Sequence, residues 1–132
     1  MRLGFAKHPV TNLRQALTGF ERSGFTVLWR PDRDSALLAA PGTPWAAVLL
    51  EVHDVELELG AGGVYLVRAP GDVDAFAQAH ADREWVVEPC DHALGRYAAL
   101  RTRAALAQRF LSPSPALARH LPPGGGLVGQ EG

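Results

Sequence analysis

The chain has 132 residues, 47% of them hydrophobic, with 13 Lys plus Arg against 14 Asp plus Glu and a formal net charge of −1. That length and composition give a single globular domain able to bury about two-thirds of its unfolded surface, and the balanced charge supplies no basic face for nucleic acid. The one cysteine, Cys90, excludes an intrachain disulfide; "MRLGFAKHPV" lacks the apolar run of a signal peptide and "WAAVLL" is too short to cross a bilayer, so the expectation is a cytoplasmic protein engaging neither nucleic acid nor membrane.

Leu3 and Phe5 suit a first strand. Asn12 then stands where a helix N-cap belongs, because its side-chain oxygen can accept from an amide of the first turn. Gln15 adds a weak capping-box pattern. Leu13, Ala16, Leu17 and Phe20 recur at helical spacing and form one apolar face. Gly24 ends the helix, since a residue without Cβ reaches positive φ at no cost. "FTVLW" is a strand of β-formers, "RPDRD" a turn, "SALLAA" a short strand and "PGTP" punctuation. "WAAVLLEV" follows as the fourth strand, and alternation puts Trp45, Ala47, Leu49, Glu51 and His53 on one of its faces. The stretch His53 to Gly63, "HDVELELGAGG", reads as a linker, and its "VELEL" equally as a short edge strand.

A second copy of the pattern begins at "VYLVRA". Asp72 is its expected N-cap, and Val73, Phe76, Ala77 and His80 repeat the helical face. "EWVVEP" and "GRYAALR" are the next strands, the latter starting at Gly95. Asn12 matches Asp72 and Phe25 matches Trp85, each pair differing by 60 (72 − 12, 85 − 25), and Phe5 then corresponds to Tyr65. One ungapped offset across strand, helix and strand marks an internal duplication of a βαβββ unit. The expected domain is residues 1–112, with modules at about 1–54 and 62–112. Residues 113–132 are rich in Pro and Gly and read either as a disordered tail or as one that packs only through Leu117 and Leu121.

Three motifs carry a family resemblance. They are "VTNLRQALTGFERSGF" in the first copy, "GGVYLVRAPGDVDAF" opening the second, and "PCDHALGRYAAL" near its end. In order and spacing they resemble the vicinal oxygen chelate superfamily of glyoxalases, bleomycin-resistance proteins and extradiol dioxygenases. The resemblance implies an α+β fold in which two βαβββ modules curl into a cup of mixed sheet, often completed in a homodimer. In the enzymes, four His, Glu or Gln residues lining the cup hold a divalent metal that polarises two neighbouring oxygens.

Carried over position by position, those ligands fall on Phe5, Glu51, Tyr65 and, by counting through the last loop, Arg109. The repeat offset puts the last one at Leu111 instead. A single ligand of the usual type is too few for a metal centre, so no cofactor is expected; a divalent metal enters only if this alignment is wrong. A Glu51–Arg109 ion pair in place of the metal would relieve the cost of a lone buried carboxylate.

The candidate ligand-binding residues are therefore Phe5, Trp29, Trp45, Glu51, His53, Tyr65 and Arg109. For the tryptophans a core role competes, and for His53 a solvated strand end. Glu51 is the one candidate for catalysis, as a general base. Cys90, Asp91 and His92 are neighbours in sequence, but a nucleophile needs its base across space, and the segment reads as a turn. Together with the resemblance, which implies a homodimer of the bleomycin-resistance type, these residues point to a metal-independent binder of an apolar or aromatic small molecule. The alternatives are a glyoxalase- or dioxygenase-like enzyme, and a degenerate dimeric scaffold.

Overall fold

The computed structural model describes residues 2–52, 63–69, 71–101 and 107–123. Its first half runs β1 (Arg2–Pro9), α1 (Leu13–Arg22), β2 (Thr26–Trp29), β3 (Ser35–Ala39) and β4 (Ala46–Glu51). The second half repeats that order as β5 (Gly63–Val67), α2 (Asp72–Ala79), β6 (Trp85–His92), β7 (Gly95–Arg101) and β8 (Ala107–Pro113), followed by a short α3 (Pro115–Ala118). Of the expected linker from His53 to Gly63, residues 53–62 lie outside the described residues and Gly63 opens β5; residues 102–106 and 124–132 also lie outside. No helix among the described residues is long and apolar enough to cross a membrane.

Local chemistry explains the helix ends. Asn12 Oδ1 accepts from the Gln15 amide at 3.0 Å, the expected cap. The second helix differs from expectation: its cap is Gly71, in the left-handed region at φ 77, and Asp72 is the first helical residue. The Asp72 carboxylate instead accepts from Arg68 Nε at 2.7 Å. It still favours the helix start, because negative charge there opposes the macrodipole.

All eight strands form one open mixed sheet in the order β2-β3-β4-β1-β5-β8-β7-β6. Within each module the first and last strands pair in parallel, β1 with β4 and β5 with β8. The modules join through antiparallel β1 and β5. The strand order is therefore symmetric about that central seam.

The two faces of the sheet have different jobs. On one, α1 covers Ala36, Leu38, Val48 and Leu50, and α2 covers Ala98, Leu100 and Phe110. The buried residue of α1 is Leu13 and that of α2 is Val73; they sit at the same repeat position (73 − 13 = 60). The opposite, inner face carries Phe5, Leu37, Leu49, Tyr65, Tyr97 and Leu111, and one apolar cluster unites them with Leu117 and Leu121.

The described part of the C-terminal stretch, residues 113–123, packs on the sheet through more than Leu117 and Leu121. Pro113 completes β8, Ser114 Oγ accepts from the Leu117 amide at 3.3 Å, and Leu117 and Leu121 are buried. The chain passes closely over β7 here: the Ser114 amide donates to the Leu94 carbonyl at 2.8 Å. Gly95, at φ 141, has no room for a Cβ against the Ser112 carbonyl.

Candidate functional site

The inner face on either side of the central seam holds four of the residues singled out from sequence. The parallel register of β5 and β8 sets Tyr65 opposite Arg109 and Val67 opposite Leu111. Phe5 and Tyr65 meet across β1 and β5 with ring centroids 4.9 Å apart. Tyr97 lies 6.0 Å from Tyr65, and His92 lies 5.2 Å from Tyr97. Strand alternation thus turns separate aromatic positions into one row across the sheet.

Beside this row lies a group of charges. Lys7, two residues along β1 from Phe5, places Nζ 3.0 Å from Glu51 Oε1. The Lys7 backbone faces Gly63 across the seam. Arg109 is fully buried and reaches back along β5, so that its Nη1 takes the space a Cβ at Gly63 would fill. Gly63 adopts φ 123, so glycine serves two purposes there: the backbone conformation and the passage of the guanidinium.

The expected Glu51–Arg109 pair is corrected by this geometry: the Glu51 carboxylate pairs with Lys7. Sequence reasoning missed Lys7, although alternation in β1 places it on the same face as Phe5. The disagreement between Arg109 and Leu111 also has a cause. Leu37 of β3 faces Leu49, and Tyr97 of β7 faces Leu111. The first members differ by 60 (97 − 37), their partners by 62 (111 − 49). The repeat offset therefore slips by two residues before the last strand, and the repeat position of Glu51 is Pro113 (51 + 62).

Trp29 and Trp45 lie to one side of this group. Trp29 packs half-buried against the inner cluster and stacks on the His120 ring at 6.5 Å. Trp45 precedes β4 instead of lying in it, with its amide donating to Thr43 Oγ1 at 3.2 Å. Next to it the Ala46 amide donates to the His120 carbonyl at 2.8 Å, so this corner of the module holds the C-terminal segment. Burial pushes the His120 pKa down, and Arg119 adds to the effect. His53 lies outside the described residues.

The turn expected at Cys90–His92 is strand. All three residues belong to β6, with Cys90 facing Tyr97 and His92 facing Gly95. Cys90 is exposed, and Asp91 Oδ1 accepts from Arg96 Nη1 at 3.2 Å. His92 Nδ1 accepts from the Leu94 amide at 3.1 Å and so shapes the hairpin. No nucleophile–base pair arises among these three.

The positions to which the family's metal ligands are carried over from sequence can be tested on their donors; the last of them, counted to Arg109, falls by strand register on Pro113, which offers none. Phe5 offers none, Arg109 is a cation, and Glu51 is engaged by an ammonium group. Tyr65 is a phenol amid the inner cluster. This set does not fit a divalent ion, which needs several oxygen, nitrogen or sulfur donors together.

Paired βαβββ modules joined through their first strands into one open eight-stranded mixed sheet are the vicinal oxygen chelate fold. Solved structures agree. A glyoxalase/bleomycin resistance protein/dioxygenase superfamily member from Vibrio splendidus 12B01 is 18% identical, with a TM-score of 0.58 over 83% of this chain and 96% of that one. A chain described as an NAD-dependent benzaldehyde dehydrogenase from Legionella pneumophila is 9% identical, with a TM-score of 0.67 over 83% and 98%. Homoprotocatechuate 2,3-dioxygenase from Arthrobacter globiformis is 16% identical, with a TM-score of 0.56 over 90% of this chain and 39% of its own. Likeness at such identities concerns the fold alone. No protein-family model and no curated protein matches the sequence.

Proposed function

We propose that the inner face binds a small apolar or aromatic molecule without a metal, and sequesters it as bleomycin-resistance proteins do. The observation carrying this reading is the Lys7–Glu51 pair. It occupies the one metal-ligand position that kept a carboxylate and engages that carboxylate with a cation. Phe5, Tyr65 and Tyr97 give this face its aromatic character and so the ligand class, but all three are buried in the inner core, so a ligand has to open that core to reach them. The test is metal content of the purified protein, then thermal shift against a panel of aromatic and apolar compounds and against Ni²⁺, Zn²⁺, Mn²⁺ and Fe²⁺. A saturable shift with an organic compound and none with metal is expected. One metal per chain with a clear shift would reverse the reading in favour of an enzyme.

A specific observation favours a second reading, the scaffold. Leu117 and Leu121 already pack into the inner cluster, so part of the cup is filled by the chain itself. On that reading no compound in the panel shifts the melting curve.

A further inference from the structure

The C-terminal segment from Ser114 to Leu121 lies over the inner face without belonging to the sheet. All eight strands find their partners without it. It adds Leu117 and Leu121 to the cluster that holds Phe5, Leu37, Leu49 and Tyr65, the surface a ligand would have to meet. His120 stacks on Trp29 with ring centroids 6.5 Å apart, and so takes an aromatic face that a ligand could use. The segment therefore stands where the proposed ligand belongs.

Its hold is narrow. Two backbone hydrogen bonds among the described residues tie it down: the Ser114 amide donates to the Leu94 carbonyl, and the Ala46 amide to the His120 carbonyl, each at 2.8 Å. Pro115, Ala118 and Arg119 on its outer side are exposed, so it is a single layer. Its helix, Pro115–Ala118, is far shorter than one that stands by itself in water. The order of the segment thus comes from burying two leucines, and the backbone freedom that the segment gives up opposes it with a term of similar size. That balance belongs to a part that opens locally, well below the cost of unfolding the sheet. Ser114 is the pivot, tied to Leu94 and flanked by Pro113 and Pro115, whose rings fix the backbone on either side.

We infer that Ser114–Leu121 is a removable cover of the inner face, which swings off as one piece while the sheet stays folded and gives its place to the ligand. This rests on the reading that the inner face binds a small apolar or aromatic molecule. It supplies what that reading requires, a way to uncover Phe5, Tyr65 and Tyr97 without unfolding the strands that carry them. Leu117 and Leu121 compete with the ligand for one surface. The apparent affinity is then the intrinsic one reduced by the fraction of chains that stand open.

Two measurements on the full chain test it. Hydrogen exchange without any added compound reads the opening. The Ala46 amide, whose acceptor leaves with His120, should exchange about tenfold or more faster than the amides of Val48 to Leu50 deeper in the same strand. Exchange at one common rate would overturn the proposal, and this result decides even if a variant fails to fold. Titration with anilinonaphthalene sulfonate, an aromatic apolar probe, reads the competition. Leu117→Ala and Leu121→Ala should each tighten its binding about tenfold or more. Leu38→Ala removes a buried leucine from the helix-covered face and should leave the affinity as it is. Equal affinity in the parent and both segment variants, or an equal gain in all three variants, would overturn the proposal while the binding reading stands. Fast Ala46 exchange with no probe or panel compound bound by any of these chains would support the cover and sink the binding reading instead.

Discussion

Lys7 Nζ stands 3.0 Å from Glu51 Oε1 on neighbouring parallel strands, with the two side chains only 2% and 17% exposed. Both charges are largely withdrawn from water, and their pairing offsets part of the cost of desolvation. Glu51→Leu alone should destabilise the fold by about 2–3 kcal/mol, less than a fully buried pair because Glu51 keeps some solvent contact. Lys7→Met combined with Glu51→Leu should recover most of that loss. Urea unfolding of the two variants reads both values, and equal losses would show that the pairing itself contributes nothing.

Gly63 and Arg109 form a second dependent pair. A Cβ at Gly63 would take the place of Arg109 Nη1, and φ 123 strains any other residue. Gly63→Ala should cost about 2 kcal/mol or more. In an Arg109→Met background the steric part disappears and only the backbone part remains. The cost of the alanine should therefore be smaller there, a coupling that a double-mutant cycle in urea measures directly.

Leu117 and Leu121 belong to the inner core despite the Pro- and Gly-rich stretch around them. Either one replaced by Ala should lose about 2–4 kcal/mol, as for other buried leucines. Loss within a few tenths of a kcal/mol would mean the C-terminal segment does not pack on the sheet in solution.

His120 links that segment to pH. Its folded-state pKa is lowered by burial, so the unfolded chain takes up a proton first as pH falls. The stability that neutral His120 contributes is complete above the unfolded-state histidine pKa. It is lost as pH drops from there through the lowered folded value. His120→Gln should flatten this part of the stability–pH profile, with the melting temperature followed across mildly acidic pH.

Much of the fold was legible because it is encoded locally. The Asn12 cap, the apolar stripe of Leu13, Ala16, Leu17 and Phe20, and the β-rich runs each depend on residues a few positions apart. The cap at Gly71 was misread because Asp72 is as good a capping residue by type; which of the two turns into the helix depends on the backbone left by β5. The strand at Cys90–His92 was missed because its partner is Tyr97 to Gly95, and a Pro and two polar residues obscure its alternation. At the site, Phe5 and Tyr65, matched by the repeat, meet across β1 and β5, whereas Lys7 went unnoticed because no metal-ligand pattern includes it.

By itself the sequence determined the doubled βαβββ order and the side of each element that is apolar, since both follow from periodicity within short windows. Tertiary structure alone decided the rest. The two-residue slip ahead of β8 arises in the pairing with β7, where hydrogen-bond register and not chain distance sets what faces what. The partner of Glu51 was chosen between Lys7 and Arg109 by which strand lies alongside β4, and β1 does. Leu117 and Leu121 entered the core because the segment that leaves β8 beside Leu94 and Gly95 packs on the apolar inner face. Each of these outcomes is a contact between distant residues, and its energy exists only once the sheet has formed.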